Sequence, residues 1–307
     1  MSEPTGAERM LAPATERLGR MHHAQVHRDP WPDFGAFEVD RYDAALRRAA
    51  AVQWGGRARA EHGSVQQFSI LTHVLCNARV ELHVLGALAR LQTDEVRHAE
   101  LCAAMALACW PEGTELEPAV FRWERPRLPW VGPPAPGDDP QPMLAWAAEA
   151  ILVSCCIGET LSRPMLEAIA VVATDPVAEA VARQILRDEH LHASFGWETL
   201  GLLLPRMSNA QRASLEQRMT RSFGAVESTT ACGIPVEAVA GKSLEIGPSD
   251  DLDGERHDQH NLGTLTDEQY AMIFFATMET EVLPRLEALG LPAMESWRRR
   301  PRPVPGE

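Results

Sequence analysis

Two short stretches almost a hundred positions apart, TDEVRHAELC (93–102) and RDEHLHASFG (187–196), each spell Asp-Glu-x-x-His. The first copy holds Asp94, Glu95 and His98, the second Asp188, Glu189 and His192. With 29 Glu, 14 Asp and 11 His in 307 residues, Glu-x-x-His arises by chance about once per chain, and the added Asp lowers that to about 0.05. Two copies therefore point to chemistry. On an α-helix, positions i and i+3 share a face, so each Glu–His pair can turn a carboxylate and an imidazole toward one point. A single such pair is usually a solvated surface pair; two pairs able to face each other are a metal-ligand set.

A metal site inside a bundle needs a further carboxylate from each of the other two helices. Glu61 precedes Glu95 by 34 positions and Glu159 precedes Glu189 by 30. Each interval is the length of a helix, a turn and a helix returning to the same height. Val65 and Phe68 flank Glu61, and Leu152, Cys155 and Cys156 flank Glu159. A carboxylate in such surroundings is costly unless it is paired or coordinated. Four carboxylates and two imidazoles form a hard, mixed oxygen and nitrogen donor set that suits two iron ions, or manganese, better than zinc.

The elements that must carry these residues can be read from apolar spacing. Residues 1–39 are rich in Pro, His and charge and read as an irregular N-terminal strap with a short helix. Helical spacing is predicted over 40–76, with Gly55-Gly56 as a weak point, and over 80–110, where Leu85, Leu88, Leu91, Glu95, His98, Cys102 and Met105 form one stripe. Prolines and glycines then forbid a continuous helix over 111–142, a stretch long for a loop in a compact domain. Helices follow over 143–172 and to 204, the latter opened by Asp175 as cap and Pro176 at the first helical position. A helix over 208–224, an irregular stretch and a last helix over 266–289 complete an all-α chain. The expected organisation is a four-helix bundle over 40–204 with one long crossover, and extra C-terminal helices over 205–307 packing on it.

The order Glu, Glu-x-x-His, Glu, Glu-x-x-His on such helices resembles the non-haem di-iron carboxylate proteins of the ferritin-like superfamily, over about residues 50–204. The repeated Asp-Glu-x-x-His brings the resemblance near bacterial multicomponent monooxygenase hydroxylases and the small subunit of class I ribonucleotide reductase. It implies a ferritin-like bundle in which Glu95 and Glu189 bridge or chelate two iron ions. His98 and His192 would bind one ion each, and Glu61 and Glu159 would be terminal ligands. By the same resemblance Asp94 would hold the far ring nitrogen of His192, and Asp188 that of His98. Cys102 would face the oxygen pocket, in the place of the reductase subunit's radical tyrosine. The p-aminobenzoate N-oxygenase type carries an extra His four residues before the last Glu, where this chain has Ile185.

Composition narrows the function further. A net charge of −14 argues against nucleic acid and anionic membrane surfaces as partners, since both need a basic face. The longest apolar run, 143–158, reads as too short and too charged to span a bilayer. Six cysteines in no C-x-x-C pattern and an N-terminus without an apolar signal run suggest a reduced, cytoplasmic protein. The resemblance implies an oxidoreductase that uses O2 to hydroxylate, N-oxygenate or desaturate a small organic substrate, served by an electron donor, with a homodimer also compatible. The competing reading is an iron-handling ferroxidase or peroxidase of bacterioferritin or rubrerythrin type. A radical-generating subunit fits least, because Tyr42 and Tyr270 are the only tyrosines and neither adjoins a ligand position in sequence. His62 and His190 adjoin ligand positions but point about 100° away on their helices. His73 and His83 read as ordinary helix residues, and His257 and His260 as members of a polar loop.

Overall fold

The computed structural model describes Leu11 and residues 14–110, 132–242 and 260–302, and among these no strand occurs. The chain is all-helical. A short helix, α1 (Glu16–Val26), is capped by the Thr15 hydroxyl, which accepts from the Leu18 amide. Two long helices follow, α2 (Ala44–Asn77) and α3 (Leu82–Cys109). The first runs unbroken through Gly55-Gly56, because Ala51, Trp54, Gly55 and Ala58 are buried and tertiary packing outweighs the weak local propensity of glycine. It ends where Arg79 turns left-handed (φ 55°) and the Val80 amide reaches back to the Leu75 carbonyl. Only a few residues join α2 to α3, so α3 must double back along α2, and the two pack along their length.

The next helix, α4 (Gln141–Val172), has a π-helical stretch over Leu152–Glu159 between two α-helical parts. It is longer than the apolar run suggests, and long and apolar enough to cross a membrane; yet 67% of its most apolar window is buried inside the molecule. Its apolar side faces a protein core. A tight turn leads to α5 (Pro176–Leu203), capped by Asp175, whose carboxylate accepts from the amides of Val177 and Ala178 at 2.9 and 3.0 Å. The Tyr42 hydroxyl donates to the other Asp175 oxygen at 2.7 Å, tying the segment before α2 to the start of α5.

Helix α5 packs on α4 and on α3, and the first part of α4 packs on α2, so the four long helices form one bundle. Its core is built from residues such as Phe68, Leu71, Leu88, Leu91, Ile151 and Phe195, all buried. Beyond the bundle lie α6 (Asn209–Thr230), the single turn α7 (Val236–Val239), α8 (Asp267–Thr277), a π-helical turn (Met278–Val282), α9 (Leu283–Ala288) and α10 (Ala293–Arg299). α6 exceeds the range 208–224 because Phe223, Gly224 and Glu227 are buried under α10, a contact that local spacing does not reveal. α6 covers α4 on the outside, and α8 lies on its second half.

Candidate metal centre

The bundle brings all six spaced residues to one place. Glu95 and His98 on α3, with Glu189 and His192 on α5, are buried. The side chains of Glu159 on α4 and Glu61 on α2 remain 12% and 17% exposed, on the rim of the cluster. The His98 and His192 rings lie 5.4 Å apart between centroids. Nδ1 of His192 stands 3.1 Å from Glu95 Oε1 and 3.5 Å from Glu159 Oε2. Nδ1 of His98 stands 3.8 Å from Glu189 Oε1 and 3.9 Å from Glu61 Oε2. Each imidazole thus points Nδ1 at carboxylates from two other helices.

The outer ring nitrogens meet the two aspartates crosswise. His98 Nε2 lies 3.2 Å from Asp188 Oδ2, within hydrogen-bond reach, and His192 Nε2 lies 3.6 Å from Asp94 Oδ2, beyond it. Arg97 lies between the aspartates and is wholly buried. Its Nη2 donates to Asp188 Oδ2 at 2.7 Å and also to Asp94, and its Nη1 donates to the Val26 carbonyl at 2.7 Å. Arg90 holds both Asp94 oxygens at 2.8 and 2.9 Å, and Arg28 holds Asp188 at 3.1 Å. Burial pushes Asp188 upward, but its bonds to His98 and Arg97 outweigh that and hold it at about 2. Asp94 is likewise lowered: burial opposes, and His192 and Arg90 prevail. Both remain carboxylates able to orient an imidazole.

Inside the ring of aspartates the balance reverses. Burial, and then the neighbouring carboxylates Glu61 and Glu159, push Glu95 well above its ordinary value, and burial followed by Glu159 does the same to Glu189. Burial pulls His192 down, yet Asp94, Glu159 and Glu95 raise it well above 6.5. The centre therefore favours positive charge, because carboxylates crowded in a poorly solvated space repel unless a cation lies between them. Glu95 Oε2, Glu189 Oε2, His98 Nδ1 and both nitrogens of His192 are buried without a hydrogen-bond partner among the described residues. Orphaned buried donors of this kind need an explanation. Two clusters, Glu95 with His98 and His192, and Glu159 with Glu189 and His192, each have ligand atoms within 4.8 Å of one another. These buried His and Glu clusters can hold a metal ion.

Local sequence explains how α4 delivers Glu159. Within its π-helical stretch the backbone takes an extra residue per turn, a distortion frequent at functional sites. Gly196 of α5 lets this stretch come close, since a Cβ there would sit 2.6 Å from Cys155 Cβ and 2.8 Å from the Cys155 carbonyl carbon. Cys155 lies among the donors, and burial, then Glu159, raises its thiol pKa. Cys102 is wholly buried, and burial, then Glu61, pushes its thiol well above 9.0, so it is a neutral wall of the centre.

Sequence reasoning passed over Arg97, although it stands inside the first pentad; an arginine between two ligand positions on a buried helix face was the available signal. It also passed over the π-helical stretch. His190, His73 and His83 are exposed, and His62 is half-buried on the far side of α2 from the centre. His260 packs edge-on against Tyr42 at 5.2 Å; His257 lies outside the described residues. Tyr42 binds Asp175, and the Tyr270 hydroxyl accepts from Arg57, so neither tyrosine hydrogen-bonds a ligand residue. No protein-family model, curated protein or solved structure matches the chain.

Proposed function

We propose that the protein is a non-haem di-iron oxidoreductase of ferritin-like architecture, which uses dioxygen to oxidise a small organic substrate. The observation that carries this reading is the convergence of two Glu-x-x-His helices and two single-carboxylate helices on one place, where Glu95 Oε2, Glu189 Oε2, His98 Nδ1 and His192 have no hydrogen-bond partner among the described residues. The order of helix, short turn, helix, long connection, helix, short turn, helix also agrees with a ferritin-like bundle. Glu95, Glu189, His98 and His192 would hold the ions, the two imidazoles through Nδ1, with Glu61 and Glu159 completing the set at the rim. Two reduced iron ions supply the electrons that dioxygen accepts and the oxidising power delivered to the substrate, and an external donor must restore them.

The chain's own residues prepare this chemistry. Asp188 bonds His98 Nε2 and so holds that ring with Nδ1 inward, Asp94 lies beside His192 Nε2, and Arg97, by neutralising both aspartates, keeps them from competing for the metal. Cys102, Cys155, Phe68 and Phe195 wall the region with buried, uncharged groups that exclude water. Glu61 and Glu159, partly exposed, are free to shift as ligands change. Covering helices α6 and α8 favour an enzyme over a storage bundle, which needs little beyond four helices. Titration of metal-free protein with Fe(II) in air tests the choice: uptake should level off at a small fixed count per chain without ferric mineral. Glu95→Ala with His192→Ala should remove two of the bound ions. Uptake that keeps climbing with growing ferric absorbance would establish the ferroxidase reading instead.

A further inference from the structure

α1 lies across α3, and an open cavity of about 550 Å3 is lined by residues of α1, α2 and α3. Into it project His22 and His27, at and just beyond the end of α1, and Glu100 of α3. We propose that these three residues form a second, mononuclear site for a divalent first-row transition ion, independent of the buried pair. His22 Nε2 lies 2.8 Å from Glu100 Oε2 and His27 Nε2 lies 2.9 Å from Oε1, so two imidazoles address one carboxylate from different directions. The ligand atoms all lie within 4.8 Å of one another. Tetrahedral bonds of about 2.1 Å place donor atoms about 3.4 Å apart, so each imidazole has to draw back from Glu100 by only about half an ångström to admit the ion.

Three further features favour a metal over a simple hydrogen-bond cluster. The His27 ring is held on two sides: Trp31 stacks on it with centroids 3.8 Å apart and planes 6° from parallel, and His23 Nδ1 lies 2.7 Å from His27 Nδ1. Without metal, His27 donates through Nε2 to Glu100 and accepts from His23 at Nδ1. With Nε2 on a metal, the proton passes to Nδ1 and is accepted by His23, the outer support that ligating histidines usually have. Among the described residues no arginine or lysine pairs with Glu100, in contrast to Asp94 and Asp188. Two neutral imidazoles and one carboxylate are the donor set of open zinc and Fe(II) sites, and the adjoining cavity leaves room for water or a further ligand in the remaining positions.

The probe is Co(II), added to the metal-free full-length protein and followed by equilibrium dialysis, visible absorption and tryptophan emission. The wild type should bind one more ion per chain than the double variant His22→Gln/Glu100→Gln, which keeps side-chain size and polarity. The extra ion should quench Trp31, so the quench should vanish in Trp31→Phe while the count stays the same. Equal counts for wild type and double variant, with far-UV dichroism unchanged, overturn the inference. The buried centre is scored separately by Glu95→Ala/His192→Ala: if that variant loses no ions but the outer double variant loses one, the di-iron reading fails and the outer site stands.

Discussion

At the scale of single residues, the centre is a case of charge balance set by burial. Six groups that water would keep apart are held within a few ångströms of one another, in a space that penalises uncompensated charge. Glu95 and Glu189 are raised well above 4.5 in the metal-free protein, chiefly by burial, and His192 is raised well above 6.5 against the pull of burial. All three shifts act in one direction. A folded pKa above the unfolded value contributes stability that is complete below the unfolded pKa and lost as pH rises. Asp94 and Asp188, lowered from 3.8, have contributed fully above that value and add no slope. Metal-free protein should therefore melt at a lower temperature at about pH 8 than at about pH 5, and metal should flatten or invert the slope by keeping the carboxylates ionised. Calorimetry of both forms checks this; a metal-free melting point that rises with pH would show the carboxylates already neutralised by other groups.

At the scale of elements, the contact between α4 and α5 sets where Glu159 lies relative to Glu189 and His192. Gly196→Ala would drive a methyl group into Cys155 and its backbone, forcing a shift that costs about 1–3 kcal/mol. Because both helices carry donors, the same variant should bind metal more weakly. Gly86 provides the contrast: it lies exposed in α3, and a Cβ there meets nothing within 4 Å. Gly86→Ala should stabilise by about 0.4–1 kcal/mol by restricting the unfolded chain, with metal content unchanged. Urea unfolding and metal analysis of the two variants separate a packing effect from a general glycine effect. The Asp175 cap at the start of α5 was legible from Asp-Pro in the sequence, whereas the π-helical stretch was not. Its hydrogen bonds depend on how α5 meets α4, and a run of apolar residues reads alike for either helix type.

At the scale of the whole molecule, the C-terminal helices form an outer layer with its own lock. Arg300, after α10, is buried and pairs with Glu227 of α6, with Nη2 2.9 Å from Oε1, while its guanidinium stacks over Trp297 at 3.4 Å. Removing one partner of a buried pair leaves the other uncompensated, so Arg300→Ala should cost about 3–5 kcal/mol. The pair makes no contact with the six central residues. The variant should unfold more easily yet retain its full metal content when folded, as read by chemical denaturation beside metal analysis. Loss of metal at full helix content would instead make the outer layer part of the centre.

That the long elements are helices, their order and the spacing of the six central residues could be read from the chain, because a helix repeats every 3.6 residues and donors on one face must keep that spacing. Glu61 and Glu159 were reachable for the same reason: helix and turn lengths convert sequence distance into height along a bundle. The partners of Arg97 and the close approach of Gly196 to Cys155 were decided only by tertiary structure, since each depends on what a neighbouring helix places opposite. So was the cluster of His22, His27 and Glu100, where residues more than seventy positions apart meet only because α1 folds back across α3. Periodicity within one element reports its own faces; it carries no record of which distant face will cover them.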